Sequence, residues 1–330
     1  MTNYQDIITA VDRIDGHVVR TPLIVSEPMS ERIGATIAIK AEHLQRTGSF
    51  KLRGAVNKVF SLADEAAATG VVTASSGNHG IGVATAAAAR GIPCTVYLPT
   101  GASSAKVAAI ARLGAVINTV DDTDALVAEH AARDAANTSG VTYISPYNDP
   151  EVIAGQGTIG VEIVEDAGGA GLGRLDAVVV SVGGGGLISG VATAVKQHHP
   201  DAVIVAASAL NDRAMAASVD AGHLIEPPAK PTFSDGTAGA VETGSITFEL
   251  CRSLVDRWLD VEEQAIATAV ARMIDDHHQL VEGSAGMALA AAAHYGRENP
   301  GATMAVISCG ANASAAAIKR MLDVAKPDGK

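Results

Sequence analysis

The sequence predicts an α/β protein with two open, mostly parallel sheets that carry helices on both faces. Three observations predict this class. Short apolar segments alternate with amphipathic or alanine-rich segments along all 330 residues. The apolar segments are bounded by Gly, Pro or Ser, as buried parallel strands are. Hydrophobic residues make up 48% of the chain but aromatic residues only 3%, so the core consists of Ala, Val, Ile and Leu.

The predicted elements alternate from one end of the chain to the other. A helix is expected where apolar residues recur at helical spacing, and a strand where a short β-branched run lies between turn residues. The predicted helices cover 4–15, 51–63, 78–90, 103–113, 122–136, 150–167, 186–198, 211–220, 247–254, 262–275 and 284–296. The predicted strands cover 36–43, 70–74, 93–99, 115–120, 141–144, 175–182, 202–208, 258–260 and 302–308. A ligand is expected in a cleft beyond the carboxyl ends of these strands.

Composition and charge argue against several classes of function. A net charge of −12 supplies no basic patch for a nucleic acid or an anionic membrane. No apolar run approaches the ~20 residues of a membrane span, and the N-terminus lacks the features of a signal peptide. The three cysteines, Cys94, Cys251 and Cys309, make no disulfide framework. We therefore expect a cytoplasmic protein with a small-molecule ligand and with neither a nucleic-acid partner nor a membrane contact.

A glycine-rich turn predicts a phosphate site. The run 183-GGGGLISG-190 follows a predicted strand and opens a helix, so its backbone amides can converge on an anion without help from Lys or Arg. A dinucleotide fingerprint fits poorly, because the next predicted strand ends at Ser208 rather than at an acidic residue. A P-loop is excluded because no GK[ST] follows the glycines.

A lysine among small residues predicts a covalent cofactor. Lys51 lies in 47-TGSFK-51, after the strand predicted over 36–43. A surface lysine needs no such neighbours, whereas a lysine that bonds an aldehyde in a crowded pocket does. Together with the glycine run, Lys51 suggests pyridoxal phosphate, held by a Schiff base and a phosphate cradle.

The motifs resemble those of a known enzyme family. Over nearly the whole chain, the sequence is similar to the pyridoxal-phosphate-dependent threonine/serine dehydratases and serine racemases, which are tryptophan-synthase-β-like enzymes of fold-type II. The motifs that carry the resemblance are 47-TGSFKLRGA-55, 75-SSGNHG-80, 152-VIAGQGT-158, 182-VGGGGL-187, 235-DG-236 and 309-CGAN-312. The resemblance implies a cofactor cleft between two lobes: a larger domain of 1–48 with 149–330, and a smaller domain of 49–148. It also implies a homodimer.

The resemblance assigns roles to particular residues. Lys51 resembles the Schiff-base lysine, and Ser76 is the second predicted catalytic residue. Cys309 occupies the place of the group that meets the pyridine nitrogen, where the family usually has serine. The predicted cofactor-binding residues are Phe50, Lys51, Asn78, Gly183, Gly184, Gly185, Gly186, Leu187, Gly236, Glu282 and Cys309. The predicted substrate-carboxylate loop is Ser75, Ser76, Gly77, Asn78 and His79.

The implied activity is an ammonia-lyase reaction on a β-hydroxy-α-amino acid, and three alternatives stay open. Ser76 stands where a hydroxyl can serve the second side of the substrate, as in a racemase, whereas typical dehydratases have alanine there. The segment 235-DGTAGAVETGSITF-248 is more similar to dehydratases of hydroxyectoine utilisation and related hydroxyamino acids, which include 3-hydroxyaspartate. The third alternative is a non-catalytic pyridoxal-phosphate-binding protein, against which the intact Lys51 argues.

The chain departs from the family in ways that shape further expectations. Ser208 and Ala214 stand where the racemases carry metal-binding carboxylates, and Asp212 alone makes no such site, so no metal ligand is predicted. The biosynthetic threonine dehydratases append a C-terminal regulatory domain, and none is expected within the 330 residues of this sequence. Cys309 lies near the predicted start of a helix, a position that lowers a thiol pKa, and this suggests the hypothesis of a thiolate.

Overall fold

A computed structural model describes residues 2–102, 104–122, 125–170 and 172–326. Its larger sheet has β1 (Leu23–Val25), β2 (Thr36–Lys40), β10 (Thr303–Ile307), β7 (Ala177–Ser181), β8 (Val203–Ala209) and β9 (Arg257–Val261), in that order. Strand β1 is antiparallel to β2, and the other neighbours are parallel. The smaller sheet has β5 (Val116–Val120), β4 (Cys94–Pro99), β3 (Val71–Ala74) and β6 (Thr142–Tyr143), all parallel.

Helices lie on both faces of the two sheets, so the predicted fold class is confirmed. From the N-terminus to the end of the smaller sheet they are α1 (Tyr4–Ile14), α2 (Glu27–Ile33), α3 (Lys51–Ser61), α4 (Asp64–Thr69), α5 (Asn78–Arg90), α6 (Ser104–Arg112) and α7 (Ala125–Ser139). They continue as α8 (Pro150–Gly169), α9 (Gly186–His198), α10 (Ala214–Ala221), α11 (Ile246–Leu254), α12 (Glu263–His277), α13 (Gly283–Glu298) and α14 (Ala315–Val324).

The core is aliphatic, as the composition predicts. Strands β7 and β10 of the larger sheet are buried along their whole length, and their side chains are Val, Ala, Ile, Met, Ser and Thr. Such strands show no alternation because both faces of the sheet are covered. The central strands thereby hold the loops that follow them at one edge of the sheet.

Several elements differ from the predictions. The predicted strand 36–43 ends at Lys40, and Glu42–Leu44 forms a 3₁₀ turn. Elements β1, α2 and α4 were not predicted, because they are only three to seven residues long and present too few residues to show a period. The ten-residue helix α14 was not predicted either. Residues 103, 123 and 124 of two predicted helices lie outside the described residues. The domain boundaries stay a prediction.

A buried charge network attaches α3 to α8 and to the segment after β2. Arg53 is fully buried and donates to both carboxylate oxygens of Glu42, at 2.9 and 2.8 Å. It also donates to both oxygens of Glu162, at 2.6 and 2.8 Å. Lys40 Nζ lies 2.6 Å from Glu162. Because Arg53 is two residues from Lys51, the network fixes the start of α3 at the cleft.

Candidate active site

A cavity of about 610 Å³ lies between the two sheets. Its lining comes from the segments that follow the parallel strands β3, β4, β6, β7, β8 and β10, from α7, and from the starts of α3 and α13. This is the position expected for a ligand in an open α/β sheet, because the carboxyl ends of parallel strands meet at one edge. All the predicted site residues line this cavity. The structure therefore brings together motifs that are more than 250 residues apart.

Lys51 is the first residue of α3, and its amine points along the cleft. Nζ donates a hydrogen bond to the carbonyl oxygen of Pro146, at 2.8 Å. It lies 5.3 Å from the centroid of the Phe50 ring. Burial lowers the pKa of Lys51 to about 8, although the negative charge of Glu282 opposes the shift. A lysine with this pKa is partly neutral near pH 7 and is therefore a competent nucleophile and base.

The loop after β3 opens a helix toward the cavity. Ser75, Ser76 and Gly77 lead into α5, and Gly77 caps that helix without a side-chain hydrogen bond. The first amides of α5 are thus available to an anion such as a carboxylate. Ser76 makes no side-chain hydrogen bond to any residue in the described ranges. Gly80, which was not predicted, is required here because a Cβ on it would lie 2.0 Å from the Ser75 carbonyl oxygen.

His79 holds the loop in place rather than presenting a charge. Its Nε2 lies 3.0 Å from the carbonyl oxygen of Ile144, which can only accept, so Nε2 carries the proton. Burial, reinforced by the charge of Lys51, lowers the pKa of His79 to about 3. The side chain is therefore neutral, and only the backbone amide of His79 is left to meet a substrate carboxylate.

The glycine run after β7 forms a cradle that side chains would fill. A Cβ on Gly184 would lie 2.4 Å from the Tyr147 ring, and one on Gly186 would lie 2.9 Å from the Tyr147 Cα. Gly185 has a φ of +83°, which favours glycine, and it caps α9 without a side-chain hydrogen bond. A Cβ on Gly183 would lie 2.7 Å from the Thr237 carbonyl oxygen. The open end of α9 can therefore receive a phosphate at close range.

Glu282 is the hub of a hydrogen-bond network that the sequence did not predict. Asn78 Nδ2 donates to both of its carboxylate oxygens, at 2.9 and 3.1 Å. The backbone amide of Asn312 donates to Glu282 Oε2, at 3.1 Å, and Asn312 Nδ2 donates to Asn78 Oδ1, at 2.7 Å. Gly236 lies close by, since a Cβ on it would be 3.6 Å from Glu282 Oε1. The only sequence signal for Asn312 is its place in the motif 309-CGAN-312.

The hypothesis of a thiolate at Cys309 was wrong. The helix predicted to start near this residue begins only at Ala315. Cys309 is 2% exposed, and burial raises its pKa, as does the negative charge of Glu282. Its Sγ lies 4.0 Å from Glu282 Oε1. Cys309 is therefore a neutral thiol at the cleft.

The short segment between β8 and α10 contributes one carboxylate, Asp212, to the cavity lining. Asp212 Oδ2 accepts a hydrogen bond from the Gly239 amide, at 2.9 Å. Within the described part of the chain, no group of three or more His, Cys, Asp or Glu side chains is placed to hold a metal ion. No helix of that part is long and apolar enough to cross a membrane.

Comparison with known proteins decides the family. The model of the "Pyridoxal-phosphate dependent enzyme" family matches residues 14–310. The chain belongs to this family. It is 38% identical to the L-threonine ammonia-lyase of Thermotoga maritima over 327 residues, 98% of this chain and 79% of that protein. It is 37% identical to the beta-hydroxyaspartate dehydratase of Paracoccus denitrificans over 310 residues, 94% of this chain and 96% of that protein.

Solved structures of the family have the same fold. Threonine deaminase isoform 2 of Solanum lycopersicum superposes with a TM-score of 0.90 at 33% identity, covering 97% of this chain and 86% of that one. Maize serine racemase superposes with a TM-score of 0.89 at 32% identity, covering 98% of this chain and 97% of that one. The fold is therefore that of the fold-type II pyridoxal-phosphate enzymes.

The residues present fit pyridoxal phosphate. The glycine loop packs against Tyr147 and Thr237 too closely for side chains, and it opens α9 without a side-chain cap, which leaves backbone amides available to a phosphate. An amine with a lowered pKa, Lys51, lines the same cavity. Asn78, Glu282 and the Cys309 thiol supply polar groups for the edge of a pyridine ring. Pyridoxal phosphate is the cofactor of the family to which the chain belongs.

Proposed function

We propose that this enzyme is a carbon–nitrogen lyase that converts a β-hydroxy-α-amino acid of the threonine/serine type into a 2-oxo acid and ammonia. The observation that carries the proposal is the lowered pKa of the Lys51 amine, in one cavity with the glycine cradle and the open end of α5. Relatives named threonine ammonia-lyase and beta-hydroxyaspartate dehydratase support the reaction class.

Three groups of residues hold the reactants. Gly183, Gly184, Gly185, Gly186 and Leu187 bind the cofactor phosphate through backbone amides. Phe50, Asn78, Gly236, Glu282 and Cys309 surround the cofactor ring. The loop from Ser75 to His79 receives the substrate carboxylate at the N-terminus of α5, where the helix dipole favours a negative charge. When bound, pyridoxal phosphate supplies an aldehyde that condenses with amines and a ring that accepts electron density from the substrate Cα.

Lys51 moves the proton. As a neutral amine Lys51 would hold the cofactor through its aldehyde, and with the substrate amine in its place Lys51 would take the α-proton from its own side of the substrate. The hydrogen bond to the Pro146 carbonyl holds Nζ in the cleft. The neutral Cys309 thiol would place no negative charge beside the cofactor ring, and a ring without such a partner would favour prompt loss of the β-hydroxyl. The water lost with the β-hydroxyl is balanced by the water that hydrolyses the resulting imine, so the net products are ammonia and a 2-oxo acid.

Racemisation is the second candidate activity, and Ser76 favours it. Racemisation needs two acid–base groups on opposite sides of a planar carbanion. The Ser76 side chain lines the cavity and has no hydrogen-bond partner in the described ranges. The similarity to maize serine racemase supports this candidate. An intact Lys51 argues against a non-catalytic cofactor-binding protein.

One experiment separates these activities. The purified enzyme, loaded with pyridoxal phosphate, is incubated with threonine, serine, 3-hydroxyaspartate, phenylserine and hydroxyectoine-derived amino acids. Formation of 2-oxo acid and ammonia is measured together with the chirality of the remaining amino acid. We expect elimination in the wild type and none in Lys51→Ala, and Lys58→Ala, a lysine seven residues further along α3, serves as the control. Elimination by Lys51→Ala at the wild-type rate would contradict the proposal.

The domain division, assembly and compartment are further proposals. We propose a larger domain of 1–48 with 149–330, a smaller domain of 49–148, a homodimer and a cytoplasmic location. The three buried free cysteines, Cys94, Cys251 and Cys309, suit a reducing compartment. The family resemblance supports the dimer, and light scattering after gel filtration tests it.

A further inference from the structure

Glu129 is a carboxylate at the active-site cavity that the reaction outlined above does not use. It lies on α7, lines the cavity, and has a side chain only 21% exposed. Its Oε1 accepts a hydrogen bond from Arg133 Nη2, at 3.0 Å, and another from the Tyr143 hydroxyl, at 3.2 Å. Its Oε2 has no hydrogen-bond partner in the described ranges. One oxygen is thus anchored while the other is available to a ligand.

The anchor of Glu129 is itself fixed from both sides of the cleft. The Arg133 guanidinium lies 4.5 Å from the centroid of the Tyr143 ring. It also pairs with Glu242, which follows the 3₁₀ turn Asp235–Thr237 in the chain. The backbone amide of Glu242 donates to the Tyr147 hydroxyl, at 2.9 Å. Because α7 packs on the smaller sheet and Glu242 comes from the chain of the larger sheet, Arg133 holds Glu129 in a defined place.

The described residues that line the cavity include more acidic than basic side chains. Among the described residues that line it, Lys51 is the only lysine or arginine, and His79 is neutral. The lining carboxylates are Glu129, Asp212, Glu226, Asp235 and Glu282. Asp212 and Glu282 already accept hydrogen bonds from Gly239 and Asn78. Burial lowers the pKa of Lys51, but the charge of Glu129 is among those that oppose the shift, so Glu129 lies within electrostatic reach of the reaction centre.

We propose that Glu129 determines the charge of the substrate side chain: it selects amino acids that carry a hydrogen-bond donor or a positive charge beyond Cβ, and it disfavours those with a second carboxylate. This inference rests on the proposed function, because it assumes that the α-carboxylate binds at the N-terminus of α5. The free oxygen of Glu129 can accept from a hydroxyl or an ammonium group. A second carboxylate would be repelled by that oxygen, because the nearby cation, Arg133, already pairs with Glu129 and Glu242 and does not line the cavity.

The test compares three ligands of similar size that lack a β-leaving group. Binding of L-2-aminobutyrate, L-aspartate and L-2,4-diaminobutyrate to the cofactor-loaded enzyme is measured by titration calorimetry at pH 7. We expect aspartate to bind at least tenfold more weakly than aminobutyrate, and diaminobutyrate to bind at least as tightly as aminobutyrate. Equal binding of aspartate and aminobutyrate would overturn the proposal, and this comparison needs no variant.

Two variants then assign the effect to Glu129. Glu129→Gln should reduce the penalty on aspartate about tenfold and weaken diaminobutyrate, whereas Glu129→Asp, which keeps the charge, should preserve the wild-type order. Asp134→Asn removes the same charge from an exposed position of α7 and should leave the order unchanged. If Glu129→Gln kept the wild-type order of ligand affinities, or if Asp134→Asn changed that order equally, the effect could not be assigned to Glu129.

The two proposals fail differently. Turnover of threonine together with equal binding of aspartate and aminobutyrate removes the inference and leaves the lyase. The expected binding order without any elimination from hydroxyamino acids removes the lyase and leaves the charge preference of the cavity.

Discussion

Asn78 Nδ2 donates hydrogen bonds to both carboxylate oxygens of Glu282, although 204 residues separate the two in the chain. Asn78 begins α5 after the smaller sheet, and Glu282 caps α13 on the larger sheet. This pair therefore joins the loop proposed to receive the substrate carboxylate to the residues proposed to surround the cofactor ring. Asn312, which bonds to both side chains, strengthens the link between the two loops.

The lowered pKa of Lys51 predicts a pH-dependent cofactor association. Only the neutral amine bonds an aldehyde, and with a pKa of about 8 the neutral fraction of Lys51 rises between pH 7 and pH 9. The rate at which the cofactor-free enzyme binds pyridoxal phosphate should rise about tenfold per unit below pH 8 and level off above it. Stopped-flow absorbance measures the rate. A rate that keeps rising about tenfold per unit beyond pH 9 and levels off only above about pH 10 would show that burial does not shift the pKa of the amine.

Gly184→Ala should weaken cofactor binding at least tenfold. The new Cβ would lie 2.4 Å from the Tyr147 ring, so the ring or the loop must move, at a cost of about 1–3 kcal/mol. Gly168→Ala, at a position with no neighbour within 4 Å, is the matched control. Dissociation constants for pyridoxal phosphate are compared across the two variants and the wild type. Unchanged affinity in Gly184→Ala would mean that the phosphate lies elsewhere.

Ser76→Ala should remove racemisation and spare elimination from L-substrates. Lys51 serves one side of the substrate carbanion, and Ser76 is the group proposed for the other. The Ser76 side chain has no hydrogen-bond partner in the described ranges, so its removal should change the rate of elimination by less than about tenfold. Ammonia release and product chirality are measured in parallel. If both activities fell together by several orders of magnitude, Ser76 would belong to the elimination step.

Arg53→Met should destabilise the enzyme by about 3–5 kcal/mol, because it removes the guanidinium that pairs with the buried Glu42 carboxylate and leaves Glu162 with Lys40 alone. Arg252→Met removes an exposed arginine that pairs with Glu249 on α11 and should cost less than about 1 kcal/mol. The free energy of unfolding in urea is measured for both. A similar decrease in unfolding free energy in the two variants would show that the buried arginine contributes no more to stability than the exposed one.

The same network predicts the direction of its pH dependence. Burial alone would raise the pKa of Glu42, but the charge and hydrogen bonds of Arg53 hold it below its ordinary value. A carboxyl whose pKa is lower in the folded state stabilises the fold above its unfolded pKa and loses that contribution as the pH falls. The difference in unfolding free energy between wild type and Arg53→Met should therefore shrink in acid, and a difference that grows instead would contradict this account.

Local chemistry made some of the site predictable from the sequence. A lysine among small residues and a run of four glycines are contiguous, and each needs only its neighbours to indicate a covalent bond or a phosphate. The periodicity of the long helices and central strands likewise indicates two parallel sheets. The short elements β1, α2 and α4 escape such reasoning, because three to seven residues do not define a period.

The sequence by itself determined the fold class, the family motifs, Lys51 and the phosphate cradle, since all of these follow from adjacent residues. Tertiary structure alone decided which distant groups meet. It places Asn312 and Asn78 on Glu282, attaches Arg53 to Glu42 and Glu162, and anchors Glu129 on Arg133. It also removes Cys309 from the helix start predicted beside it and buries the thiol. These contacts depend on how strands separated by many residues pair in a sheet, and burial, which sets the pKa values, exists only once the chain has packed.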